Sequence, residues 1–461
     1  MKYHRVIVVF RRDLRLDDNT ALLKAASESK EVIPIFIFDP RQIRPHPYFS
    51  ENALLFMLES LQELNGELRS KGSKLHCFYG EAAQVLAEVA SKVGAEAAYF
   101  NRDYTPFSKS RDSAIERDLA ALGIRTYITG DALLHEPEEV LKSDNSPYTV
   151  YTPFSKRALK VPVRKPKTLS SASSLVKSDF GEDLEKIIER QDIGKLSNSG
   201  DRAGRKKAIS LLERLPELVN YSKERDLPAL ASTSRLSPHN KFGTISVREV
   251  YWQIAESLGS EHLLINELLW RDFFTHIAFH FPQVFERNFN PRYGSITWEN
   301  DKKKFAAWCE GRTGYPIVDA GMRELNSTGI MHNRVRMITA SFLVKDLLID
   351  WRWGERYFAQ KLLDYDPAVN NGNWQWAAST GCDAQPYFRV FNPWLQQRKF
   401  DTSCEYIKKW VPELAEHEPK EIHAGQRQGM VRDYHHPIVD HVERRSMAVK
   451  LFEQAAEESK K

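Results

Sequence analysis

The stretch NNGNWQWAASTG, Asn370 through Gly381, sets two tryptophans one residue apart behind a run of asparagines. On a helix, residues two apart differ in direction by about 200°, so Trp374 and Trp376 would serve opposite sides, one a pocket and the other an inner core. Two core tryptophans on a packing helix satisfy the same spacing. The asparagines resist that reading, because buried amides must find partners. In HLLINELLWRDFFTHIAFHF, Glu267, Trp270 and Arg271 stand at i, i+3 and i+4, which puts a carboxylate, an indole and a guanidinium on one turn. Glu267 is open to an ion pair with Arg271 or to a hydrogen-bonding task. In GIMHNRVRMITASFLVKDLLIDWRWGERYF, Asn333 and Met337 share a face, Arg334 and Arg336 leave it, and Trp351 is expected to close that helix. An amide beside a thioether suits a pocket for a flat ring with a polar edge, while ordinary packing also accounts for Met337.

Hydroxyls cluster in TSRLSPHNKFGTIS from Thr233, next to helix-start signals; they suit phosphate or simple capping. LLDYDPAVNNG places Asp364 and Asp366 where carboxylates could accept from a ribose or a ring N–H, without the further oxygen ligands of a calcium loop. His276 and His280 are four apart but lack the glutamate of a metal helix and a third ligand, so no metal is expected. A nucleophile elbow, a P-loop, a kinase signature and a zinc-deaminase signature are all missing from the sequence. Aromatic surfaces, an amide pocket and phosphate donors without hydrolytic machinery point to chemistry carried by a cofactor.

These residues need a scaffold, and 461 residues set a prior of two domains. The apolar and charged fractions, 42% and 28%, are those of a globular protein, and no run is long and apolar enough for a membrane span. The opening MKYHRVIVVFRRDLRLDD reads as a strand feeding a polar loop rather than a signal peptide, so a cytoplasmic protein is expected. Four widely spaced cysteines suggest neither a disulfide framework nor a zinc site, and a net charge of +4 permits a basic face without arguing for one. All ten tryptophans lie between Trp252 and Trp410.

HRVIVVF, EVIPIFIFD, KLHCFYG, AEAAYFN and IRTYITG are short strand-like runs separated by helical stretches, the rhythm of βαβ units on a parallel sheet. We place that Rossmann-like domain at residues 1–130; it has no GxGxxG after its first strand. Residues 131–199 read as a linker, rich in Lys, Arg, Pro and Ser from Thr149 onward. Residues 200–461 carry apolar spacings of three and four and almost no strand signal, so a large all-α domain is expected.

The chain resembles the photolyase and cryptochrome family, and within it the class I cyclobutane pyrimidine dimer photolyases. The resemblance runs from VVFRRDLRLDDN through YFNRDYTPFSKSRD, NELLWRDFF and DYDPAVNNGNWQWAASTGCDAQPYFRVFNP to PIVDH. It implies FAD in the helical domain, with Tyr221, Thr233, Ser234, Arg235, Leu236 and Ser237 on its pyrophosphate side. Asp364 and Asp366 would face the ring and ribose, Arg336 would lie beside the ring, and Asn370 opposite its N5. For the lesion it implies Glu267, Trp270, Asn333, Met337 and Trp376, with Arg334 and the neighbourhood of Arg271 on DNA phosphates. Trp374, Trp351 and Trp298 match the family's electron-transfer triad. The implied activity is light-driven repair of dimers in UV-damaged DNA by a monomeric enzyme. The α/β domain would hold a second, antenna chromophore, methenyltetrahydrofolate or deazaflavin, with flavin in a few members.

Three other readings share this frame. A blue-light sensor of the cryptochrome type keeps flavin and triad but often adds a long tail, and little follows PIVDH. A photolyase for the (6-4) lesion resembles its relatives in placing histidines where this chain has Asn333 and Met337. A DNA-binding scaffold that merely retained the fold has no use for so complete a set of pocket and electron-path residues.

Overall fold

The computed structural model describes residues 1–169, 174–176, 180–193, 202–424 and 434–460. By contacts the chain forms two compact units: residues 1–148, 152–218 and 234–280, and residues 149–151, 219–233 and 281–461.

The first unit is built on five strands, β1 (Tyr3–Phe10), β2 (Ser29–Phe38), β3 (His76–Tyr79), β4 (Ala97–Asn101) and β5 (Arg125–Thr129), each where the sequence places it. They pair in parallel in the order β3-β2-β1-β4-β5. The continuous apolar run Val6–Phe10 is buried throughout, as a parallel sheet covered on both faces requires. Ile7, Val9, Ile33, Ile35 and Phe100 pack against Leu86, Val89, Ile115 and Leu119 from the flanking helices. Local chemistry sets the helix ends: Asn19 and Ser50 accept from the backbone N–H of Leu22 and Ala53, and Gly94 ends its helix at φ 63°.

Strand order reverses between β1 and β4, and chain leaving the carboxyl ends of β1 and β5 joins Arg248 in a buried charge network. Arg15, 1% exposed, donates twice to Asp131, at 2.9 and 2.7 Å. Arg248 donates to Asp131 and to Asp18, both at 2.7 Å. Burial pushes Asp131 up, but the two guanidiniums outweigh it and hold the carboxyl below its ordinary range. The helix Leu263–His280 belongs to this unit. Its Asp272 accepts from the backbone N–H of Leu134 and His135. His276 and His280 turn their Nε2 atoms to the carbonyls of His135 and Pro137.

The second unit is helical, with no strand among its described residues. Its core gathers Trp308, Tyr315, Phe342, Trp351, Phe358, Trp374 and Trp394. Eight of the ten tryptophans lie in it. Trp351 does not close the helix that begins at Asn333. That α-helix runs Asn333–Ser341, widens into a π turn over Phe342–Asp346, and ends where Leu348 takes φ 52°. Asp350 then caps a new helix, Trp351–Lys361, accepting from the N–H of Arg352 at 3.0 Å. Trp351 is the first residue of that helix.

Candidate active site

The helix Pro367–Ala378 carries the opening tryptophan pair, as its spacing predicts. Asp366 starts it by accepting from the N–H groups of Ala368 and Val369, and Pro367 stands at the first helical position. Trp374 is 2% exposed and meets Phe358 at 4.9 Å and Trp308 at 6.2 Å between ring centroids. Gly354 makes room for it, since a Cβ there would overlap the Trp374 ring and Leu343. Trp376, half-buried, lies on another face of the same helix.

The asparagine run finds its partners. Asn370 donates from Nδ2 to the carbonyl and to the carboxyl of Glu355, at 3.1 and 3.0 Å. Its side-chain oxygen takes no hydrogen bond from the described residues, so the amide presents an acceptor and keeps its donors engaged. Asn371 and Gln375 both donate to the Val284 carbonyl, and Gln375 also donates to Asn371. Burial pushes the Glu355 carboxyl up to about 7, against the pull of the Asn370 bond. The folded pKa lies above the ordinary 4.5, so the carboxyl carries no penalty below pH 4.5, where it is protonated in both states. The penalty grows as pH rises and is complete above about 7. Glu355→Gln is therefore expected to raise stability by roughly 3 kcal/mol above pH 7 and to leave it unchanged near pH 4, as denaturant unfolding at the two pH values will measure.

Arg336 grips Asp364 with two bonds, 3.2 and 2.9 Å, and the Met331 carbonyl at 2.8 Å. Arg334 pairs with Asp226 at 2.8 Å and lies over the Phe400 ring. Asn333 is exposed at the first position of its helix and Met337, one turn on, is half-buried. Tyr221 is buried at the start of the short helix Tyr221–Glu224, and Thr233 is half-buried. Trp351 is buried, with its indole N–H on Asn288; Trp298, half-buried, meets Phe452 at 6.0 Å. The second unit thus holds Trp298, Trp351 and Trp374 and brings together Arg336 with Asp364 and Asn370 with Glu355.

The remaining candidates belong to the first unit. Glu267 and Trp270 are half-buried on the helix Leu263–His280, where Trp270 stacks on Phe274 at 5.5 Å. Arg271 directs donors to the carbonyls of Ala132 and Asn240. In the phosphate-donor segment, the Ser234 hydroxyl accepts from the Leu236 N–H, exposed Arg235 sits at φ 53°, and Leu236 is buried. Ser237, also exposed, opens the helix Ser237–Phe242.

Three groups escaped the sequence reading. Glu355 left a signal, since it falls with Trp351 and Phe358 at i, i+4 and i+7 on an apolar stripe. Asn288 and Asp226 left none, because their partners are distant in sequence.

Two families match the chain: "DNA photolyase" over residues 6–170 and "FAD binding domain of DNA photolyase" over residues 264–454. The chain is 39% identical to a deoxyribodipyrimidine photo-lyase of Agrobacterium fabrum, with 98% of each chain covered. It is 38% identical to the Escherichia coli protein of the same name, over 97% of this chain and 98% of that one. Among solved structures, an archaeal photolyase from Sulfolobus tokodaii with two FAD molecules superposes with a TM-score of 0.89 at 46% identity, covering 98% of this chain and all of that one. A bacterial class III photolyase from Agrobacterium tumefaciens gives 0.88 at 36%, covering 99% and 98%.

Proposed function

The chain belongs to the DNA photolyase family, and from that premise we propose how its residues divide the work of light-driven repair of cyclobutane pyrimidine dimers in DNA. It is a carbon–carbon lyase. The observation that carries the reading is the helix Pro367–Ala378, which joins a core indole, a half-buried indole and an amide acceptor in one element. These residues suit a flavin, because the acceptor oxygen of Asn370 matches a ring N–H while its amide donors are held by Glu355. When bound, FAD would supply the chemistry that these residues lack, a light-driven one-electron exchange with the dimer that splits the cyclobutane bonds without net redox change.

Tyr221, Thr233 and the run Ser234, Arg235, Leu236 and Ser237 hold the pyrophosphate side. Asp364 and Asp366 serve the ring and ribose, and Arg336, fixed by Asp364, lies beside the ring. Asn370, locked by Glu355, offers an acceptor without delivering a proton. Trp270 and Trp376 stack on the damaged bases, Met337 meets the thymine face, and Glu267 and Asn333 hydrogen-bond the edges. Glu267 also stabilises negative charge developing on a pyrimidine carbonyl. Arg334 and the surface around Arg271 meet phosphates, which position the lesion without reading sequence. Extrusion of the dimer from the duplex is general to photolyases. Trp298, Trp351 and Trp374 relay electrons inward when the flavin is oxidised.

Within the family the chain is read as closest to class I, and the choice of cyclobutane dimers over the (6-4) lesion rests on Asn333 and Met337, where (6-4) enzymes place histidine. By function, residues 1–130 are the antenna domain, 131–199 the linker and 200–461 the FAD- and DNA-binding domain of a monomer. The second chromophore is methenyltetrahydrofolate or deazaflavin; the two FAD molecules of the Sulfolobus relative make flavin the alternative, and the absorption of material released on denaturation separates the three. Among the described residues no helix is long and apolar enough to cross a membrane.

The decisive assay incubates reduced, FAD-loaded protein with a dimer-containing oligonucleotide in light and in dark. Dimer loss in light alone is expected, and equal dimer content in both samples defeats the proposal. Trp376→Ala should weaken binding of that oligonucleotide by roughly 5- to 150-fold, from the 1–3 kcal/mol of a stacked base, measured by titration in the dark.

A further inference from the structure

The middle tryptophan of the electron path has a proton problem. An indole that has lost an electron becomes a much stronger acid, and if its N–H proton leaves, the neutral radical can be reduced only by regaining a proton. The hole is then trapped. Trp351 is 1% exposed, and its Nε1–H donates to Oδ1 of Asn288 at 2.9 Å. The orientation of that amide is fixed from its other end, because Asn288 Nδ2 donates to the Tyr293 carbonyl at 2.8 Å, which leaves only the oxygen to face the indole. An amide oxygen accepts a hydrogen bond well but is too weak a base to take the proton.

We infer that Asn288 is a positioning residue that fills the place beside the Trp351 N–H with a non-basic acceptor, so that no base stands there to take the proton while that indole carries the electron hole. The inference rests on the electron-path reading given above. In the step concerned, Trp298 gives one electron to oxidised Trp351, which returns to a neutral indole as Trp298 becomes the radical cation. No bond to hydrogen breaks at Trp351. The neighbouring charge is balanced: the Arg352 guanidinium lies 5.0 Å from the Trp351 ring centroid, and Asp350 holds it at 3.0 Å. Half-buried Trp298, by contrast, can release a proton to water once the hole arrives.

The test is flash photolysis of full-length, FAD-loaded protein in a Trp298→Phe background, where the hole stops at Trp351, with variants compared at equal FAD occupancy. With Asn288 in place the transient spectrum should be that of the tryptophan radical cation. Asn288→Asp, which supplies a base at the same position, should convert it to the neutral radical, and with Trp298 restored should lower the yield of flavin photoreduction roughly tenfold. Asn288→Leu removes the acceptor without adding a base, so the cation spectrum should persist. A cation spectrum in Asn288→Asp, or a neutral radical in Asn288→Leu, overturns the inference. Wild-type photoreduction kinetics in Trp298→Phe alone would instead overturn the electron path on which it rests.

Discussion

Trp374→Phe protein, loaded with oxidised FAD and illuminated with blue light in the presence of a thiol, is expected to accumulate reduced flavin at least roughly tenfold more slowly than wild type, as for a barrier raised by about 1.4 kcal/mol or more. The phenyl ring keeps much of the packing against Phe358 and Trp308 but is far harder to oxidise than an indole. Trp376→Phe, two residues on, should leave photoreduction intact and weaken binding of dimer-containing DNA. Absorbance during illumination and titration in the dark separate the two. The same rates in wild type and Trp374→Phe would remove Trp374 from the path, and a shared loss in both variants would mean that the helix Pro367–Ala378 does not divide its faces as argued.

Asp131→Ala should destabilise the protein by roughly 3–5 kcal/mol and lower the midpoint of thermal unfolding by about 10 °C. The carboxylate is 3% exposed and answers two guanidiniums, Arg15 and Arg248, themselves 1% and 4% exposed. Removing it leaves Arg15 in the interior without the carboxylate it donates to and Arg248 with Asp18 alone, and the Thr20 N–H loses its acceptor as well. Calorimetry of the variant measures the shift. A change below 1 kcal/mol would mean that water replaces the carboxylate at this end of the sheet.

The sheet was legible because β-branched and aromatic runs at regular intervals have one economical arrangement, and all five strands lie where those runs fall. The break before Trp351 was not. Apolar spacing continues through FLVKDLLIDW, and the interruption comes from one leucine in a left-handed conformation that its residue type does not announce. In the candidate site, Asn370 stood out by its type and company, whereas its partner Glu355 is marked in the sequence only by its place on the stripe of Trp351 and Phe358. Asn288 was invisible to spacing, since the indole it serves lies 63 residues away. The network of Arg15, Asp18, Asp131 and Arg248 draws on three distant segments that only the strand order gathers.

The lopsided distribution of indoles has a practical result. With eight of ten in the second compact unit, intrinsic emission during denaturation reports almost entirely on that unit, while the peptide signal of circular dichroism weighs both. If the two units come apart separately, the optical curves will not superimpose, and the emission curve alone would describe a molecule whose sheet has already been lost or has yet to melt.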